Sequence, residues 1–338
     1  MTFIELINNY YKKILNLNNN QIITNIIFLC IIIVCLYIVF FTIQISRLKQ
    51  NECDKMNKKY GKINGNIKTL DISKYNGSLN EYYINTAYNC CSGGSYKNDY
   101  VDTCNLKAIL RQGVRCLDFE IYSINNEPVI ATSTNDNYTV KETYNYVDFN
   151  DAFKIIEQYA FSGSYTPNYQ DPLLIHLRIK SKNQFIYSKL ADIFKHHSDR
   201  MLGNKYSYEN YNKNLGNETM DKFMGKYVII IDGNNNSYLE NKQFMEYVNM
   251  ASNSKYMRKY VFDDIKYITN SQELTDYNRE NMSMVLPSSG ANSYNSNIEL
   301  CEKYGCQLVA MRYQYLDDNL QKNINIFNTA GYAFIKKP

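Results

Sequence analysis

GCQLVAMRYQ, residues 305–314, carries a short apolar run from Gln307 to Arg312 that is bounded by Gly305 and too brief for a helix, so it reads as a buried β-strand. Ahead of it, Asn297–Tyr304 has the spacing of an amphipathic helix, and beyond it Tyr332–Ile335 reads as another strand. The same alternation extends upstream. Tyr82–Asn85, Cys116–Tyr122, Pro128–Ala131, Leu173–Ile179, Tyr227–Ile231 and Met284–Leu286 are strand candidates, and Asn105–Gln112, Phe149–Tyr159, Gln184–His197 and Lys242–Met250 are helical. Eight strands alternating with helices predict an α/β fold, a TIM-type (β/α)8 barrel with parallel strands. Such barrels carry their sites on the loops after the C-terminal strand ends.

The N-terminal part is different. Residues 22–45 read IITNIIFLCIIIVCLYIVFFTIQI, without a charge. This exceeds the roughly 20 residues a helix needs to cross a bilayer. The expected organisation is an N-terminal segment over 1–20, a single transmembrane helix over 21–45, a basic juxtamembrane linker over 46–70, and the barrel over 71–338. Phe3, Ile4, Ile7, Tyr10, Tyr11, Ile14 and Leu15 recur at a helical period, which predicts a short amphipathic helix on the membrane surface. Lys12 and Lys13 precede the span, whereas Arg47, Lys49, Lys55, Lys58, Lys59 and Lys62 follow it, so the large domain is expected to face the cytosol. The linker either rests against anionic headgroups or is a solvated spacer.

Lys plus Arg is 37 against 33 Asp plus Glu, a net charge of +4 that is too mild for a nucleic-acid binder. The nine cysteines form no CxxC pair and no zinc spacing, so reduced, mostly buried thiols are expected, in keeping with a cytosolic face. With 33 Tyr, 5 Pro and no Trp, the composition is that of an AT-rich genome, such as a large virus or a protist. For a large virus, an internal virion membrane with the barrel toward the capsid fits this topology. The sequence shows no Ser-His-Asp, Cys-His or Gly-rich phosphate-loop motif.

Six separated stretches carry a family resemblance. Gly305–Gln314, followed by Ala330-Gly331-Tyr332 and Lys336-Lys337-Pro338, resembles the end of the catalytic barrel of phosphoinositide-specific phospholipase C. Leu286-Pro287 with Ser293-Tyr294-Asn295, Gly113–Tyr122, Pro172–Arg178 and Gly225-Lys226 resemble further elements of that barrel, in the family's order. The resemblance covers about residues 71 to 338. It implies a phosphodiesterase of lipid headgroups, with two histidines and a calcium ion bound by Asn and carboxylates.

Carried over position by position, this chemistry is incomplete. Tyr88 stands at the first histidine place and Thr132 at the second, and neither titrates near neutral pH. Asn89, Asp118 and Glu120 keep metal-ligand places, but Arg178 stands where the family has a carboxylate. A guanidinium opposite Asp118 and Glu120 is expected to fill the calcium position with a fixed charge. No metal or other cofactor is then expected; Asn89, Asp118 and Glu120 are the residual candidate cation site. The family's phosphate-reading residues are replaced by Ile230, Asp232, Met284 and Leu286. His176 shares the inward face of Arg178, either as a satisfied interior histidine or as a site residue, while His196 and His197 read as surface or capping residues.

The resulting expectation is a catalytically inactive, membrane-anchored phospholipase C-like domain, a structural, interaction or lipid-surface module. Its partners would be the membrane, with anionic headgroups or another protein. The alternative is an active phosphoric diester hydrolase with a rewired site using His176, Tyr88, Asp118 and Glu120, and only there is calcium expected.

Overall fold

A computed structural model describes Glu5 and residues 18–208, 213–291 and 293–338. The amphipathic helix expected at the N-terminus falls outside the described residues. Two compact units divide the chain, the first ending at Leu48 and the second running from Lys49 to Pro338.

One helix, Asn19–Tyr60, is long and apolar enough to cross a membrane. In its span Phe28, Leu36 and Tyr37 are 64%, 64% and 66% exposed, an apolar surface that water does not favour. Residues 49–60, expected to be linker, are the end of this helix and belong to the second unit. Met56 and Tyr60 are buried in that unit's core, and Tyr60 meets the ring of Tyr313 edge-on at 5.7 Å. Lys49 pairs with Asp102 at 2.8 Å. Cys53 is joined to Cys104 by a disulfide. That bond corrects the expectation of reduced thiols throughout: the two residues lie 51 apart in sequence, and only the packing of the helix brings them together.

The strands of the second unit are β1 (Tyr82–Ala87), β2 (Cys116–Ile124), β3 (Glu127–Ile130), β4 (Val147–Asp148), β5 (Leu173–Ile179), β6 (Tyr227–Asp232), β7 (Met250–Ser252), β8 (Met257–Val261), β9 (Met282–Leu286), β10 (Leu308–Met311) and β11 (Phe334–Lys336). Eight of them run in the order β7-β6-β5-β2-β1-β10-β9-β8, every neighbouring pair parallel, with β7 and β8 left unpaired at the seam. The result is a nearly closed parallel barrel.

Two expected members are not in it. β3 folds back antiparallel on β2, and β11 lies antiparallel on β1. Their places are taken by β7 and β8, which sequence periodicity misses because β7 has three residues and β8 reads MRKYV, only partly apolar. The helix expected over Lys242–Met250 ends at Met245, because Met250 pairs with Ile230 as a strand.

Alternation along each strand sorts the interior from the outer layer. Leu117, Phe119 and Ile121 of β2 and Ile175, Leu177 and Ile179 of β5 face outward into the core shared with the helices. Cys116, Leu174, Val228, Ile230, Leu308 and Ile84 fill the barrel interior. Above that apolar floor the same inward rows continue as Asp118, Glu120, His176, Arg178 and Asp232, so the mouth is charged where the floor is dry. Gly113, at φ +77°, makes the turn into β2, and a Cβ there would meet Ile67 at 2.8 Å.

Candidate functional site

Register builds the site. Parallel pairing of β2 with β5 sets Asp118 beside His176 and Glu120 beside Arg178. Pairing of β6 with β7 sets Asp232 beside Ser252 at the open seam. All of these lie at the C-terminal ends of the strands, where the fold places its sites.

Arg178 is the hub and is fully buried. Its Nε donates to Asp118 Oδ1 at 2.9 Å and its Nη2 to Asp118 Oδ2 at 2.8 Å. Nη1 reaches Glu120 Oε1 at 3.0 Å and Asp136 Oδ1 at 2.7 Å, and Nη2 also reaches the Asn89 side-chain oxygen at 2.8 Å. Asn89, which adopts the left-handed conformation at φ 45°, donates its side-chain amide to Glu120 at 3.0 Å and its backbone N–H to Asp118 at 3.2 Å. Glu120 further accepts from Tyr122 at 2.7 Å and from the backbone and hydroxyl of Ser133. Asn89, Asp118, Glu120 and Arg178 thus converge in one salt-bridged cluster.

Burial by itself would raise the Asp118 carboxyl, but the Arg178 guanidinium and the His176 bond outweigh it and hold it well below the usual carboxylate range. For Arg178 burial opposes the charge, and Asp118, Tyr88, Glu120 and Asp136 reverse the balance, keeping the cation fully charged.

Tyr88 lies with its ring against this cation, 4.6 Å from the guanidinium carbon, and edge-on to Tyr96 at 5.5 Å. Burial pushes its phenol well above the ordinary value. Thr132 is buried and donates its hydroxyl to the Tyr96 carbonyl at 3.2 Å. Ile230, Met284 and Leu286 are buried apolar side chains, while Asp232 pairs with Lys259 at 2.7 Å.

His176 points inward with both ring nitrogens taken: Nδ1 meets Asp118 Oδ1 at 2.7 Å and Nε2 meets Ser252 Oγ at 2.9 Å. The carboxylate accepts only, so Nδ1 carries a proton toward Asp118, while the Ser252 hydroxyl also lies 3.4 Å from the Ile231 carbonyl. This is a Ser-His-Asp hydrogen-bonded chain that no sequence motif announces, because residues 118, 176 and 252 come together only in the fold. All three residues are 0% exposed. His196 bonds the Asp192 carbonyl on the surface, whereas His197, the C-cap of the same helix, packs its ring 4.9 Å from that of Phe153 and bonds Glu157 at 3.0 Å.

Four participants escape the sequence reading. Asp136, on the loop after β3, binds Arg178, Lys180 and Lys259, the last at 2.7 Å. Lys180 is two residues past Arg178, so strand alternation points to it, and Lys259 stands on the inward row of β8. Ser252 and Asp136 have no local signal; tertiary packing alone brings them to the mouth.

By fold this is a barrel of the phospholipase C-like phosphodiesterase type. The chain belongs to the phosphatidylinositol-specific phospholipase C family: the X-domain family model matches residues 75–232 and the Y-domain model residues 232–338, meeting without an insert. Among solved structures, L. pealei PLC21 is 18% identical with a TM-score of 0.62, over 78% of this chain and 37% of that one. S. officinalis PLC21 is 17% identical with a TM-score of 0.59, over 78% and 37%. A calcium-dependent phosphoinositol-specific phospholipase C from a Gram-negative Pseudomonas species is 11% identical with a TM-score of 0.50, over 79% and 97%. At these identities the likeness is one of fold, and the chain spans little more than a third of the first two. No curated protein matches the chain.

Proposed function

We propose that this is a non-catalytic member of the family, held at a membrane by its N-terminal helix and serving as a structural or interaction module at the membrane surface. One observation carries the reading: the Arg178 guanidinium lies among Asn89, Asp118 and Glu120, the places where the family's metal ligands stand. Calcium needs roughly six to eight oxygen ligands free of competing cations. Here those oxygens are given to a fixed cation, which itself stands where the family has its remaining metal-binding carboxylate. These residues do not fit the ion.

Proton chemistry supports the same reading. Tyr88 and Thr132 occupy the histidine places, and burial moves the Tyr88 phenol further from neutrality. The one imidazole inside the barrel, His176, is committed at both nitrogens, and its serine partner is sealed from solvent. A substrate has no approach to either, which disfavours the rewired diester hydrolase.

The basic residues after the span favour a cytosolic barrel, whereas the Cys53–Cys104 disulfide belongs in an oxidising setting. We take the barrel to face the cytosolic side on the charge bias; alkylation of Cys53 and Cys104 in intact cells without added reductant would support it, and protection of both by the bridge would contradict it.

Headgroup release from phosphatidylinositol, phosphatidylcholine and sphingomyelin vesicles, with and without calcium, tests the function. No turnover is expected. Turnover that disappears in an Asp118→Ala, Glu120→Ala double variant would overturn the proposal.

A further inference from the structure

Three cations meet on a single carboxylate at the barrel mouth. Arg178 on β5, Lys180 just past its end and Lys259 on β8 all donate to Asp136, whose loop lies between β3 and β4. Oδ1 takes Arg178 at 2.7 Å together with Lys180, and Oδ2 takes Lys259 at 2.7 Å. We propose that Arg178, Lys180 and Lys259 form a binding site for a phosphate monoester, whose place the chain's own Asp136 fills. The inference rests on the reading that no divalent cation occupies this mouth.

Accessibility gives the order of the layers. The Asp136 side chain is 18% exposed, those of Lys180 and Lys259 are 7%, and that of Arg178 is 0%. The anion is therefore the most exposed member of the cluster, and the three cations are buried more deeply. Their other partners are unequal. Arg178 keeps Asp118 and Glu120, and Lys259 keeps Asp232, but Lys180 has no second acid within ion-pair distance among the described residues. Removing the Asp136 carboxylate leaves Lys180 with the Asp136 backbone carbonyl but with no acid to balance its charge.

The loop does not depend on that carboxylate for its shape. Asn137 N–H donates to the Asn135 side chain at 2.9 Å, Tyr138 N–H to the Asn135 carbonyl at 3.0 Å, Thr134 N–H to Glu142 at 2.8 Å, and Gly290 N–H to the Thr134 carbonyl at 2.8 Å. Only the Asp136 side chain has to leave. A phosphate monoester offers three terminal oxygens and up to two charges to three charged donors, where a carboxylate offers two oxygens and one charge. These cations do not stand where the resemblance puts the family's phosphate-reading residues, which are Ile230, Asp232, Met284 and Leu286 here.

The test uses the full chain in phosphatidylcholine nanodiscs, titrated with inorganic phosphate by calorimetry. Asp136→Ala is expected to bind phosphate at least about tenfold more tightly than the unaltered chain. Adding Lys180→Gln and Lys259→Gln is expected to abolish the gain. A cooperatively unfolding Asp136→Ala chain that binds no better than the unaltered one overturns the proposal, as does a gain that survives loss of both lysines. Should Asp136→Ala fail to fold, Asp136→Asn is judged by the same criterion. Discs carrying a phosphatidylinositol monophosphate separate the sources. Weakened binding of inorganic phosphate there identifies a lipid headgroup, and unchanged binding a soluble phosphate; both uphold the site. Headgroup release followed in the same discs reports on the non-catalytic reading separately, since phosphate binding and turnover are independent readouts.

Discussion

Arg178 holds Asp118 by a two-pronged contact, Nε to Oδ1 at 2.9 Å and Nη2 to Oδ2 at 2.8 Å, with both side chains wholly buried. A guanidinium is planar and matches a carboxylate edge to edge, so the pair fixes direction as well as charge. Two further acids and an amide oxygen close around the same group. The mouth of this barrel is thereby neutralised from within.

Replacing Arg178 by Met should therefore cost about 3–5 kcal/mol, because it strands several buried acids without a counter-charge. Arg178→Lys should cost less, since it keeps the charge and loses the fork. Denaturant unfolding of the full chain in detergent measures both; an Arg178→Lys variant as stable as the parent would mean the fork contributes nothing.

Much of this cluster is legible in the sequence. Alternation along CLDFEIY places Asp118 and Glu120 on one face, and the same alternation along LLIHLRI places His176 and Arg178 on one face. What remains hidden depends on chain separation. Asp136 sits in a polar loop with no periodicity, Ser252 ends a three-residue strand, and Cys53 meets Cys104 only because residues 49–60 pack as helix on the barrel. The Lys-rich segment reads as a linker because its buried residues, Glu52, Cys53, Met56 and Tyr60, are few and only three of them are apolar.

Glu52, on that same helical segment, gives the fold a pH dependence. Burial, with the neighbouring Asp99 adding to it, pushes its carboxyl from an ordinary 4.5 up to about 8. Between those values the unfolded chain has released this proton and the folded chain still holds it, so stability falls as pH rises from about 4.5 to about 8. Burial of Asp171, raised to about 6, and of Glu302, raised to about 7, acts in the same direction over narrower windows. A Glu52→Gln chain should show a shallower decline in melting temperature across that range; an unchanged slope would rule out Glu52 as its source.

The disulfide closes a loop between residues 51 apart. By chain entropy its loss should lower stability by about 4 kcal/mol. A Cys53→Ser, Cys104→Ser variant, or the parent in reductant, should melt correspondingly lower, while Cys90→Ser, which breaks no bridge, should respond to reductant as the parent does.

The Ser252–His176–Asp118 chain is a structural device in this account. A serine-directed phosphonate should leave Ser252 unlabelled, as mass spectrometry of the treated protein would report. Ser252→Ala should cost about 1–3 kcal/mol, the penalty for leaving the buried His176 nitrogen unsatisfied. Labelling at Ser252 would place a reactive nucleophile in the barrel instead.

The most direct test of the central claim, that Arg178 takes the place of a divalent cation, is thermal unfolding of the full chain with chelator and with millimolar calcium, beside an Arg178→Glu variant that restores the carboxylate. The unaltered chain should melt at the same temperature in both conditions, and Arg178→Glu should melt lower in chelator and rise with calcium. A calcium-dependent rise of several degrees in the unaltered chain would contradict the account.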